Sequence, residues 1–212
     1  DLQPFYFFFF LLIIKVFQFN DIANAVRLIN ALITFGVIAL MGQIGSGLSA
    51  FRNGRSVIMI LISCVGFINN AYQLSPNIIV LFGFSLYFYA LQKSAQMPGI
   101  SAWLLSIGLI FISLNFTAQF IVIALLILFI LPLLSKEWRT FEYLVCTSGG
   151  LALFTLLFGS YVWQLNSVDH AFYLEWEGKY LSFISFSLAD YGQSALFLVE
   201  TLAWYLIPAW IL

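Results

Sequence analysis

Charged side chains are scarce in this sequence. Asp, Glu, Lys and Arg together make up 8% of the 212 residues, whereas hydrophobic residues make up 63% and the mean hydropathy is +1.03. Soluble domains carry roughly 25% charged and 45–50% apolar residues. A chain of this length cannot bury so much apolar surface against itself, so the sequence predicts an integral membrane protein with several spans.

Other absences exclude whole classes of function. A net charge of −1 provides no basic field, so no nucleic-acid partner is expected. The sequence contains no P-loop, GxSxG, HExxH or CxxC motif, and nucleotide hydrolysis, serine hydrolysis and zinc catalysis therefore lack sequence support. Cys64 and Cys146 both stand in apolar stretches, which favours small apolar packing residues over a disulfide or a metal pair.

The two ends of the sequence also lack familiar features. The chain opens on Asp1-Leu-Gln-Pro, with neither Met nor a signal peptide, and closes on Leu212 inside an apolar run. We therefore expect residues 1–212 to be a single transmembrane domain taken from a longer protein.

Long apolar runs separated by short polar turns fill most of the chain. Helices are predicted over residues 27–48, 56–74, 76–91, 141–165 and 194–212. The run over residues 100–134, about 35 residues, is too long for one span of roughly 20, and its polar midpoint at residues 115–119 divides it into two. The predicted fold is an all-α, polytopic transmembrane helix bundle of about seven or eight membrane segments. The number of crossings within residues 5–48 stays open.

Basic residues at the turns set the predicted orientation. The positive-inside rule assigns three basic turns to the cytoplasm. These turns contain Arg52, Arg55, Lys93, Lys136 and Arg139. The turn at residues 115–119 and the segment 166–193 then lie on the outer face.

The segment 166–193 is the only long stretch that could not form a simple span, so we expect one large outer-face, periplasmic loop there. Its charged and titratable residues are Asp169, His170, Glu175, Glu177, Lys179 and Asp190. A membrane enzyme that uses a lipid-linked donor needs a cation for the phosphate and a carboxylate as base or metal ligand. Two simpler interpretations compete with this one: an ion pair between Lys179 and Glu175, four residues apart, and ordinary solvated helix ends.

Five motifs, in order along the chain, resemble the GT-C class of polytopic glycosyltransferases. The branch they resemble contains the protein O-mannosyltransferases and the aminoarabinose transferase of lipid A. The motifs are Asp1-Leu-Gln-Pro-Phe-Tyr, Asp21-Ile-Ala-Asn-Ala-Val-Arg-Leu, Leu114-Asn-Phe-Thr-Ala, Glu175-Trp-Glu-Gly-Lys-Tyr and Leu202-Ala-Trp-Tyr-Leu-Ile-Pro-Ala-Trp. Three positions depart from the family pattern: Gln3 replaces His, Asn115 replaces Lys, and Lys179 replaces Arg. The acidic loop that usually supplies the family's catalytic base would lie upstream of Asp1.

The resemblance implies a glycosyltransferase of a bacterial inner membrane, which crosses the membrane many times. It would transfer a sugar from a polyprenyl-phosphate donor to a lipid or protein acceptor on the periplasmic side, in contact with membrane lipids. Lys179 and Arg27 would bind the substrate phosphate, and Asp1 would be the catalytic acidic residue near the acceptor. Asn115, Glu175 and His170 would complete a polar site. No metal ligand is assigned, and a divalent cation stays open as a cofactor. The alternative is a transporter, a flippase or a non-catalytic subunit of a membrane complex.

Overall fold

All regular secondary structure in the described part of the chain is helical. A computed structural model describes Lys15 and residues 22–48, 54–64, 67–68, 77–114, 118–168 and 170–181. Over these ranges the chain forms seven α-helices and one 3-10 turn, without strands, which confirms the predicted all-α class there. The helices are α1 (Ile22–Leu48), α2 (Gly54–Ser63), α3 (Asn77–Lys93), α4 (Pro98–Ser113), α5 (Gln119–Leu134), α6 (Phe141–Val168) and α7 (His170–Tyr180).

Most predicted boundaries agree with the helices observed. The long run over residues 100–134 divides as predicted, with α4 ending at Ser113 and α5 beginning at Gln119. Pro98 occupies the first turn of α4, where its missing N–H leaves no intrahelical hydrogen bond unmade. The basic turn between α5 and α6 contains the 3-10 turn Lys136–Trp138.

Within the helix predicted over residues 56–74, the described residues are helical up to Ser63 and again at Phe67 and Ile68, with a break at Cys64. Helix α2 ends at Ser63, and Cys64 is not helical. At this end the Ser63 hydroxyl donates to the Ile60 carbonyl at 2.8 Å, and the Cys64 N–H donates to the same carbonyl at 3.1 Å. Residues 69–74 lie outside the described ranges.

Two described helices are long and apolar enough to cross a membrane: Val26–Gly47 within α1, and α6. Their 22 and 28 residues extend for about 33 and 42 Å, against a hydrocarbon core of about 30 Å. Apolar side chains such as Phe35 and Leu156 are 69% and 70% exposed, an arrangement that favours contact with lipid. These features support membrane association. Helices α4 and α5 have 16 residues each, below the usual length of a span, so the bundle of seven or eight segments remains a proposal.

The chain divides into two compact units, one from residues 1–82 and 186–212 and the other from residues 83–185. In the first unit α1 packs against α2 at glycines: Gly42 lies against Ile58, and Gly45 against Val57. Because glycine has no Cβ, two membrane helices can approach closely at such positions.

The core of the second unit lies along α4. Gly83 of α3 and Gly108 of α4 face each other so closely that a Cβ on either would lie 2.8–2.9 Å from the other's carbonyl oxygen. On another side of α4, Gly150 of α6 lies against the Ala102 carbonyl and Leu105. The side chains that close this core include Tyr87, Leu105, Leu109, Ile112, Ala124 and Leu128. Both cysteines are free, and Cys146 is buried.

A proline near the end of α5 determines how this helix joins α6. Pro132 has no N–H, so the carbonyl of Leu128, four residues earlier, loses its usual helical donor. The Tyr143 hydroxyl of α6 donates to that carbonyl at 2.8 Å. Arg139 closes the helix end, because its Nε donates to the Pro132 carbonyl at 2.6 Å and its Nη2 to the Leu133 carbonyl at 3.4 Å.

Candidate functional site

Helix α7 carries three of the predicted site residues. One residue separates it from the end of α6, and the two helices are linked by His170 and Asn166, whose Nδ1 and Oδ1 atoms lie 2.7 Å apart. The His170 ring also stacks on Tyr173, with a centroid separation of 6.2 Å. His170 is exposed, and its contacts fix the start of α7.

Lys179 and Glu175 form an ion pair on one side of α7. The Lys179 Nζ donates to the Glu175 Oε1 at 2.7 Å, and the two side chains are 52% and 64% exposed. The hydrogen bond from Lys179, with its positive charge, lowers the pKa of Glu175. The ion pair that the four-residue spacing of Glu175 and Lys179 suggested is therefore present. It holds the two groups at the solvent-accessible surface of the helix.

A different side of α7 consists of aromatic rings that pack on α6. Trp176 stacks on Tyr180 with centroids 4.8 Å apart, and both rings lie about 6.5 Å from Phe158 of α6. Phe158 in turn stacks on Phe154 at 5.4 Å. We call these four residues the aromatic cluster. Burial raises the pKa of Tyr180 to about 12, so this phenol stays neutral over the physiological range.

The end of α7 meets the start of α5. The Ala118 N–H donates to the Tyr180 carbonyl at 3.0 Å, which satisfies a carbonyl in the last turn of α7. Ala118 is the last residue of the Leu114-Asn-Phe-Thr-Ala motif, and Tyr180 directly follows Lys179. This hydrogen bond places Ala118, within the turn at residues 115–119, against the last turn of α7.

The other predicted site residues do not belong to α7. Arg27 is exposed on α1, in the first compact unit, whereas α7 belongs to the second. Asp1 and Asn115 lie outside the described residues. Among the residues that are described, no group of three His, Cys, Asp or Glu side chains could hold a metal ion.

Two features of this site were not found from the sequence. The segment 166–193 was predicted as a loop, but its described part is helical, because α6 extends to Val168 and α7 follows. The aromatic cluster was also missed. A signal existed in the spacing, since Phe154 and Phe158, and also Trp176 and Tyr180, stand four residues apart, as neighbours on one helix face do.

Comparison of the chain with protein-family models, with curated proteins and with solved structures gave no match in any of the three.

Proposed function

We propose that this chain is the membrane core of a glycosyltransferase that crosses a bacterial inner membrane many times. It moves a sugar from a polyprenyl-phosphate donor to a lipid or protein acceptor on the periplasmic face. The proposal is supported by the five motifs, by the apolar helices and by the arrangement of α7.

The arrangement of α7 carries the proposal. The aromatic cluster joins α7 to α6, a helix that is apolar enough to cross a membrane. The charged side of α7, with Lys179, is exposed. Trp and Tyr side chains prefer the level of the lipid headgroups, so a helix of this kind suits the membrane interface. The phosphate of a polyprenyl-phosphate lies at the same level, which would place it within reach of a lysine side chain.

The chemistry assigns a role to each candidate residue. Sugar transfer with inversion requires a base that activates the acceptor hydroxyl and a positive charge that stabilises the departing phosphate. Lys179 is the principal phosphate ligand, and Arg27 is the second candidate. Asp1 is the candidate acidic residue near the acceptor, and Asn115, Glu175 and His170 supply polar groups around the site.

The ion pair with Glu175 is compatible with this role. An exposed pair of flexible side chains contributes little to stability, because water screens the charges and the side chains lose rotamer freedom. A charge-assisted hydrogen bond to a phosphate that is partly removed from water is stronger. The donor phosphate would therefore recruit Lys179, and Glu175 would hold the ammonium near the interface until the donor binds.

The test is a transfer assay on the full-length gene product in proteoliposomes. Radiolabelled polyprenyl-phosphate sugars are supplied one at a time, and the label is followed into lipid and protein fractions. We expect transfer from at least one donor. A folded protein that transfers none of the common sugars contradicts the proposal, and substrate uptake or lipid scrambling without transfer would favour a transporter or flippase instead.

A further inference from the structure

A groove of about 490 Å³ lies beside the turn that joins α5 to α6, within the second compact unit. Its walls are largely apolar and include Phe129, Pro132, Phe141 and Leu144. The volume falls within the range of about 300–1,000 Å³ that is typical of small-molecule sites. This groove is separate from the charged side of α7, because it is formed at the opposite end of α6.

Arg139 is the only charged side chain among the described residues that line the groove. The neighbouring carboxylates, Glu137 and Glu142, are exposed and do not belong to the lining. The guanidinium is held at the groove by its hydrogen bonds to the Pro132 and Leu133 carbonyls. A guanidinium has five N–H donors in a planar fork, so it can close the end of α5 and contact an anion at the same time.

The three hydroxyl groups of the lining already take part in hydrogen bonds within the protein. The Tyr143 hydroxyl donates to the Leu128 carbonyl, and the Thr147 hydroxyl donates to the Tyr143 carbonyl at 2.9 Å. Thr140 Oγ1 accepts a hydrogen bond from the Tyr143 N–H at 3.2 Å. The groove therefore offers an apolar channel with one cation, which suits a ligand with an aliphatic part and an anionic part.

We propose that this groove binds an acyl chain of an anionic phospholipid, with the lipid phosphate at Arg139. A soluble anion would gain nothing from the apolar walls, and a neutral lipid would gain little from the cation. The positive-inside rule assigns the turn with Lys136 and Arg139 to the cytoplasmic side, where the leaflet is anionic. Phe129 and Leu144 are 65% and 62% exposed, so the groove is accessible from the hydrocarbon.

The experiment uses the unmodified full-length gene product in lipid nanodiscs. Phospholipids with a photoreactive acyl chain are added, with either a phosphatidylglycerol or a phosphatidylcholine headgroup, and cross-linked peptides are identified by mass spectrometry. We expect the groove segments of α5 and α6 to be labelled about five-fold more by the anionic lipid. Arg139→Gln should reduce this labelling to the level of the neutral lipid. Lys136→Gln, which removes an exposed cation outside the lining, should not.

The comparison of the two lipids on the unmodified protein does not depend on whether Arg139→Gln folds. Equal labelling of the groove by both lipids overturns the proposal, because it indicates ordinary boundary lipid. Two other results also overturn it. Displacement of the label by inorganic phosphate would assign Arg139 to a soluble anion, and a cross-link between two chains through the groove would assign it to a second copy.

Discussion

Lys179 is the residue on which the proposed chemistry depends most. Five of the eight Lys and Arg residues stand in turns that the positive-inside rule explains, whereas Lys179 stands among acidic residues in the segment predicted to lie on the outer face. The structure shows its partner, Glu175, but an exposed pair of this kind has little influence on folding. Substitutions at Lys179 should therefore affect catalysis more than stability.

Lys179→Ala in the full-length gene product should reduce sugar transfer by about ten- to a hundred-fold, the loss expected when one charge-assisted contact to a phosphate is removed. Lys179→Arg should retain most of the activity, since it preserves the charge. Lys93→Ala is the matched control, because Lys93 is a cation in a turn predicted to face the cytoplasm. Initial rates with the labelled donor provide the measurement. Wild-type rates of transfer by Lys179→Ala would show that Lys179 serves only as the ion-pair partner of Glu175.

The ion pair itself gives a pH dependence of known sign. The pKa of Glu175 is lowered from its ordinary value of 4.5 by Lys179, so the pair stabilises α7 above that value and loses its effect as the pH falls through the lowered pKa. In Lys179→Ala the pKa of Glu175 should rise. Titration of ¹³C-labelled glutamate by NMR in micelles measures the change, and Lys179→Arg should keep the pKa low. An unchanged pKa in Lys179→Ala would show that the pair is not populated in solution.

At the scale of elements, a tyrosine hydroxyl at the junction of α5 and α6 replaces the hydrogen-bond donor that a proline lacks. The Leu128 carbonyl has no N–H donor at residue 132, and the Tyr143 hydroxyl takes the place of that donor. Tyr143→Phe leaves the buried carbonyl without this partner. Unsatisfied buried groups cost about 1–3 kcal/mol.

A double-mutant cycle tests this compensation. Tyr143→Phe should lower the thermal stability of the protein in detergent. The same change in a Pro132→Ala background should cost much less, because an alanine at that position restores the N–H donor. The measurement is the difference in melting temperature for each pair of variants. Equal losses in the two backgrounds would show that the hydroxyl does not compensate for the proline.

Element boundaries followed from the sequence where they depend on length and local polarity. The polar residues near the middle of the run over residues 100–134 marked the division between α4 and α5, and the basic turn marked the start of α6. Helix α7 was not anticipated, because the charges and Gly178 in its sequence are typical of a loop. It is stabilised by packing of the aromatic cluster between two helices, which a local pattern cannot reveal. The structural role of Arg139 was also not anticipated. The sequence indicated only a basic residue in a cytoplasmic turn, whereas its hydrogen bonds to the end of α5 depend on the position of Pro132.

At the scale of the whole molecule, the predicted orientation can be tested by labelling single cysteines from either side of the membrane. In a background without Cys64 and Cys146, cysteines introduced at Arg55 and Lys93 should react with an impermeant thiol reagent only from the cytoplasmic side. A cysteine introduced at Ser167 should react only from the outer side. Labelling of Ser167 and Arg55 from the same side would mean that the number of crossings between them is even, and the proposed placement of α7 would be wrong.

The central claim is that a polyprenyl-phosphate binds at the charged side of α7. Photo-cross-linking with a photoreactive polyprenyl-phosphate in native membranes tests it most directly, with the corresponding polyprenol as the control that lacks the phosphate. The account predicts that the phosphate-bearing probe labels peptides containing residues 170–181, and that Lys179→Ala lowers this labelling about ten-fold while Lys93→Ala does not. Equal labelling of these peptides by the polyprenol, or labelling that Lys179→Ala leaves unchanged, would contradict the account.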